Sequence, residues 1–112
     1  IHIGSMGGHR VPPGSNGVYC ATKFAVRALT ESLRQEMHAT QRPVRVTNIS
    51  PGLVETGFAT HYAGSTDAAT KTYGALKCLQ SEDIAGAVLY ALAQPAHVQI
   101  HDILVRPTEQ GS

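Results

Sequence analysis

Segments rich in strand formers alternate with segments of helical periodicity along this chain, and that alternation restricts the fold more than any single residue does. Ile1–Ser5, Val44–Ser50 and Val98–Val105 read as strands, the second for its run of β-branched residues. Between the first two, Phe24, Leu29, Leu33 and Met37, with Ala25 and Val26, recur at helical spacing to about His38. Ser15 and Asn16 are both suited to cap the start of that helix. Ile84, Ala87, Val88, Ala91 and Leu92 form the apolar face of a second helix. Ser81 reads as its N-cap, Glu82 and Asp83 sit at its positive end, and Pro95 stops it. Strand, helix, strand, helix, strand predicts an α/β fold on a parallel sheet.

Two stretches carry less pattern. The Gly- and Pro-rich run after Ser5 reads as a loop, and Pro51-Gly52 breaks the second strand. Residues 57–80 show no strong periodicity beyond a helix at 66–78. Insertions after a strand's C-terminal end lie over the ligand crevice in such sheets, so 57–80 is expected to be a substrate lid. Phe58, His61, Tyr62 and Tyr73 are its candidate wall residues. Arg27, Glu31 and Arg34 share another face of the first helix and read as a solvated, ion-paired stripe.

Composition narrows the function. With 42% hydrophobic and 15% charged residues, the chain is globular and lacks a disorder signature. A net charge of +1 gives no reason to expect nucleic acid or an anionic membrane. The longest apolar stretch, Ile84 to Ala93, falls well short of the roughly 20 residues that span a bilayer. Cys20 and Cys78 have no metal-like spacing and read as free thiols, which fits a reducing, cytoplasmic setting. Cys20 reads as a small buried helix residue. No metal is expected: His97 and His101, the closest histidine pair, would stand about 13 Å apart on an extended strand.

Tyr19 and Lys23 point to chemistry. Four residues apart on a helix, they share a face with Cβ atoms roughly 6 Å apart. An ammonium at that range favours the ionised form of a phenol, and so makes tyrosine a usable proton donor and acceptor. A serine hydroxyl such as that of Ser5 can hydrogen-bond the substrate oxygen. The arrangement suits alcohol oxidation or carbonyl reduction with a separate hydride carrier. The spacing alone is weak, because Tyr73 and Lys77 repeat it; that second match reads as an exposed helix pair.

Three segments in order, Ile1-His2-Ile3-Gly4-Ser5-Met6-Gly7-Gly8, Tyr19-Cys20-Ala21-Thr22-Lys23 and Ile49-Ser50-Pro51-Gly52-Leu53-Val54-Glu55-Thr56, resemble motifs of the short-chain dehydrogenase/reductases. The resemblance runs over essentially the whole chain. It implies a Rossmann-like, doubly wound parallel sheet, of which this would be the C-terminal part with three strands, two long helices and a lid helix. It also implies Tyr19 as acid/base, Ser5 as holder of the substrate oxygen, and Lys23 as the group that eases loss of the tyrosine proton and bonds the nicotinamide ribose. Tyr19, Lys23, Pro51, Gly52, Val54 and Thr56 would contact the cofactor: NADP, with NAD possible. Gly8-His9-Arg10-Val11-Pro12-Pro13 and Arg106-Pro107-Thr108-Glu109-Gln110 resemble a subgroup acting on hydroxysteroids, isoprenoid alcohols or related carbonyls.

The family's glycine-rich nucleotide loop and its helix asparagine are absent from these 112 residues. Residues 1–112 are therefore expected to be the C-terminal catalytic part of one NAD(P)-binding domain, inactive alone. The resemblance further implies a homodimer or homotetramer through the Tyr19–His38 helix. The other reading is a non-catalytic fragment serving only as an oligomerisation or interaction module.

Overall fold

Three short strands pair in parallel in a computed structural model that describes residues 1–58, 71 and 74–111. They are β1 (His2–Ile3), β2 (Asn48–Pro51) and β3 (Asp102–Val105), in the order β1-β2-β3. A 3-10 turn (Met6–Gly8) follows β1, then α1 (Gly17–Ala39); α2 (Ser81–Ala93) precedes β3. The predicted α/β architecture is present.

Register sorts the sheet into two faces. His2, Asn48 and Asp102 are ladder partners, and so are Ile3, Ile49 and Ile103. Successive side chains on a strand point to opposite faces. The polar row lies toward α1, since His2 Nδ1 is 2.7 Å from the Thr30 hydroxyl. In the apolar row, Ile49 is completely buried, while Ile3 remains exposed. Among the described residues β1 has one sheet neighbour, β2.

The strands are shorter than their composition predicts, because side chains replace ladder bonds at their starts. Val46 N–H donates to Gln99 Oε1 at 2.9 Å, and Thr47 Oγ1 donates to the Ile100 carbonyl at 2.6 Å. Pro51 closes β2 instead of breaking it, and Gly52 N–H continues to the Val105 carbonyl at 2.6 Å. Arg45 donates to the carbonyls of Leu92, Gln94, Pro95 and Val98. A cation on the last carbonyls of α2 satisfies acceptors that have no helical partner.

Helix ends refine the sequence reading. Asn16 caps α1 through its side-chain oxygen, which accepts Tyr19 N–H at 3.0 Å. Ser15 instead closes the preceding turn by donating to the Pro12 carbonyl at 2.6 Å. Ser81 is not the cap of α2: Gln80 holds that place and Ser81 is the first helical residue. The Asp83 carboxylate reaches back to Gln80 N–H at 2.8 Å, the acid half of a capping box.

The expected solvated stripe on α1 is overturned for its two arginines, while Glu31 stays exposed and the ion pair is present. Arg34 is buried and donates to the carbonyls of Val46, at 2.8 Å, and His101, at 3.1 Å, while pairing with Glu31. The Val46 carbonyl precedes β2 and takes its donor from this side chain, while the His101 carbonyl, just before β3, also accepts Asn48 N–H at 3.0 Å. Arg27 also turns inward, donating to the Gly8 carbonyl at 2.7 Å.

Candidate active site

Side-chain-free positions on the turn after β1 let two elements meet closely. Ser5 Oγ accepts Gly7 N–H at 3.0 Å and so caps the 3-10 turn. A Cβ built on Gly7 would stand 3.3 Å from Tyr19 Cε1, 3.4 Å from Cys20 Sγ and 3.5 Å from Ser5 Oγ. Gly7 thus marks the point where Ser5 and Tyr19 converge. A Cβ on Gly8 would lie 2.7 Å from the Lys23 carbonyl oxygen, so the turn seats directly on the α1 backbone. Sequence pattern shows only a loop here, because the contacts of the turn are tertiary and leave no periodic signal.

The α1 residues fall where helical spacing places them. Lys23 Nζ is 5.7 Å from the Tyr19 ring centroid. Phe58 packs on the other member of that pair, its ring 5.9 Å from that of Tyr19 and tilted by 46°. Cys20 is fully buried beneath them, as expected of a packing residue. His61, Tyr62 and Tyr73 lie outside the described residues. Lys77, of the second tyrosine–lysine spacing, sits in no described helix; its N–H donates to Glu109 Oε2 at 2.9 Å.

The segment after β2 forms the third wall. Val54 bridges Leu79 in parallel, through Leu79 N–H to the Leu53 carbonyl at 3.0 Å and Glu55 N–H to the Leu79 carbonyl at 2.8 Å. A parallel bridge uses the groups flanking its central residue, so the N–H and C=O of Val54 itself take no part in it. Thr56 Oγ1 accepts Phe58 N–H at 3.2 Å and so fixes where the Phe58 ring enters. Gly52 admits the C-terminal tail: a Cβ there would come within 3.0 Å of Arg106 Cγ and overlap Gln110 Oε1.

Gln110 escaped the sequence reading as a site residue. Its Oε1 accepts Leu53 N–H at 2.9 Å, and its Nε2 lies 2.9 Å from Met6 Sδ. It joins the segment after β2 to the turn that carries Ser5. No local pattern announces it, since its partners are 57 and 104 residues away.

One other feature stands apart from this cluster. A cavity of roughly 430 Å³ between α1 and the polar sheet face is lined by Phe24, Arg27, Thr30, Arg34, Asn48 and Asp102, among others, and by none of Ser5, Tyr19 and Lys23. Among the described residues no group of three metal-ligating side chains assembles. No described helix is long and apolar enough to cross a membrane.

A family model described as short chain dehydrogenase matches residues 1–66. The chain belongs to the short-chain dehydrogenase family. The chain is 54% identical to "Dehydrogenase/reductase SDR family member 11" of Gallus gallus over 114 residues, with 100% of the chain and 45% of the relative covered. It is likewise 54% identical to the Homo sapiens protein of the same name, covering 98% of the chain and 43% of the relative. Its fold matches the closed form of serine dehydrogenase complexed with NADP+, with a TM-score of 0.89 and 38% identity, over 98% of the chain and 44% of that structure. The chain therefore spans less than half the length of these relatives, and its α/β sheet matches the Rossmann-like fold of the family.

Proposed function

We propose that this chain carries the catalytic centre of an NADP(H)-dependent oxidoreductase that interconverts a secondary or allylic alcohol and its carbonyl. The observation that carries the reading is the convergence of Ser5 and Tyr19 on Gly7, with the Lys23 ammonium over the Tyr19 ring. In the oxidation direction Tyr19 takes the hydroxyl proton of the substrate, and in reduction it returns one. Ser5 Oγ accepts Gly7 N–H with one lone pair, and its O–H is the donor offered to the substrate oxygen. Lys23 stabilises negative charge developing on the phenol oxygen.

The described residues fit the nicotinamide end of the cofactor. The N–H and C=O of Val54, turned away from the Leu79 bridge, are a donor and acceptor pair of the kind a carboxamide needs. Pro51, Gly52 and Thr56 flank it, and Lys23 is the candidate partner for the ribose. When bound, the dinucleotide supplies the hydride acceptor or donor. NADP is preferred over NAD in this reading, supported by the serine dehydrogenase complex with NADP+.

Residues 1–112 would form the C-terminal catalytic part of one NAD(P)-binding domain, with the glycine-rich nucleotide half supplied outside them. Phe58, against Tyr19, is the described wall residue of a lipophilic substrate site, suited to a hydroxysteroid or an isoprenoid alcohol such as farnesol. Exposed Val18 and Leu29 on α1 support self-association into a dimer or tetramer through that helix. An interaction module alone would explain those residues but not the Ser5–Tyr19 convergence.

The test is Tyr19→Phe in a full-length enzyme carrying this chain. Turnover should fall by about 10²–10⁴-fold while NADPH binding, followed by fluorescence titration, persists. Retained turnover refutes the assignment.

A further inference from the structure

The polar row of the sheet extends into a hydrogen-bonded chain that ends on the turn carrying Ser5. His9 Nε2 lies 3.0 Å from Ser50 Oγ and 3.3 Å from Asp102 Oδ1. Ser50 Oγ–H donates to Asp102 Oδ2 at 3.1 Å. Asn48 Nδ2 donates to Ser50 Oγ at 2.9 Å and to Asp102 Oδ2 at 2.6 Å. A serine has one hydroxyl hydrogen, and here it goes to the carboxylate. Ser50 can then only accept from His9, so the partners assign a proton to Nε2. When the ring is also protonated at Nδ1, it forms an ion pair with Asp102.

This is not a hydrolytic triad. One ring nitrogen faces both serine and carboxylate, whereas a triad uses the two opposite nitrogens. Ser50 is also completely buried, beyond the reach of a substrate carbonyl.

The network's value lies in what His9 terminates. The 3-10 turn has Ser5 as N-cap and His9 as C-cap, with His9 N–H bonded to the Met6 carbonyl at 2.9 Å. Three residues separate the serine from the histidine. The inner end of the turn is held by Ser5 Oγ, its flank by Arg27 on the Gly8 carbonyl, and its outer end by the imidazole sunk among β2 and β3 side chains. A turn anchored at both ends holds Ser5 in place relative to α1, which carries Tyr19.

We propose that His9 and Asp102 are positioning residues for the Ser5–Tyr19 centre, His9 anchoring the turn and Asp102 holding His9. The inference rests on reading Ser5 and Tyr19 as the reacting pair. Misplacing a catalytic group by about 1 Å can cost on the order of 10²-fold in rate, so a loosened turn is expected to act on kcat.

The experiment compares His9→Ala, His9→Gln and Asp102→Asn in the full-length enzyme, with Tyr19→Phe alongside. His9→Ala and Asp102→Asn should each lower kcat by about tenfold and leave NADPH affinity within about twofold. His9→Gln, which keeps a donor, should recover most of the loss. Hydrogen exchange should quicken at the Gly7 and His9 amides in His9→Ala and stay unchanged in α2. An unchanged kcat in His9→Ala or in Asp102→Asn overturns the role of that residue. So does equal loss in His9→Ala and His9→Gln with α2 protection falling too, the mark of general destabilisation. If Tyr19→Phe stays active, the proposed reaction fails, while the exchange data still report whether His9 holds the turn.

Discussion

The side-chain oxygen of Gln110 accepts the Leu53 N–H at 2.9 Å, while its amide nitrogen rests 2.9 Å from the sulfur of Met6. One residue of the C-terminal tail therefore spans the gap between the proposed nicotinamide wall and the turn that begins at Ser5. Gln110→Leu keeps the bulk and removes both contacts. A hydrogen bond of this kind contributes about 1 kcal/mol, so NADPH affinity in the full-length enzyme should weaken by about fivefold. Gln110→Glu keeps the acceptor and should fall between the two. Fluorescence titration decides it, and wild-type affinity in Gln110→Leu would show that the tail is a bystander.

Gly8 and Gly86 make opposite predictions for the same substitution. At Gly8 an alanine Cβ would meet the Lys23 carbonyl at 2.7 Å, a backbone atom that cannot swing aside. Gly8→Ala should destabilise by about 1–3 kcal/mol through overpacking, and should lower turnover because Lys23 must shift. At Gly86, inside α2, a Cβ would meet no neighbouring atom within 4 Å among the described residues. Gly86→Ala should stabilise by about 0.5–1 kcal/mol, since alanine surrenders less backbone entropy in a helix. Thermal melts of the two variants give opposite shifts if the packing is as described; two similar shifts would contradict it.

What the sequence disclosed follows from which interactions are local. The spacing of Tyr19 and Lys23 and the apolar periodicity of both helices are short-range and could be read directly. Residue type narrows the cap of α1 to Ser15 or Asn16, of which the structure selects Asn16. Arg34 was misplaced because helix-face reasoning assigns charge to solvent, whereas a long guanidinium stem can serve buried carbonyls. Ser81 was misplaced by one residue because serine is a favoured cap, and the decisive bond, Asp83 to Gln80 N–H, involves a glutamine seldom used there. The turn at 6–8 and the Gln110 clamp depend on contacts with α1 or across most of the chain. The alternation Asn48-Ile49-Ser50 did hold a signal, two polar side chains on one strand face, that a search for cross-strand partners would have matched to Asp102.

Arg34 is a buried cation whose loss strands an acceptor. Arg34→Met would leave the Val46 carbonyl without its side-chain donor, at a cost of about 1–3 kcal/mol, while the His101 carbonyl keeps the Asn48 N–H at 3.0 Å. Arg34→Lys should recover only part of this, because a single ammonium cannot reproduce the planar fork. Its partner Glu31 is half exposed, so Glu31→Gln should shift the melting temperature far less. The Gln35 amide and then the Arg34 charge hold the Glu31 carboxyl below its ordinary range. Its small contribution is therefore present at neutral pH and lost as pH falls through that lowered value. Melts from neutral to acidic pH should show the wild-type and Glu31→Gln curves converging. Curves that diverge on acidification would reverse the sign.

Cys78 supplies a test that needs no substrate. It is buried, and burial first, with the Glu55 charge second, pushes its thiol above the ordinary range. The nucleophile is the thiolate, so at pH about 8 the folded chain should alkylate at Cys78 at least tenfold more slowly than the chain in urea. The folded state holds that proton more tightly than the unfolded one. Its contribution to stability is thus complete below the ordinary thiol value and is lost as pH rises through the raised one. Iodoacetamide labelling with peptide mass spectrometry separates Cys78 from Cys20, which is also free and buried. Equal Cys78 rates in buffer and in urea would mean that this thiol is open to solvent in the folded chain, and that the pairing of Leu79 with Val54 does not close over it.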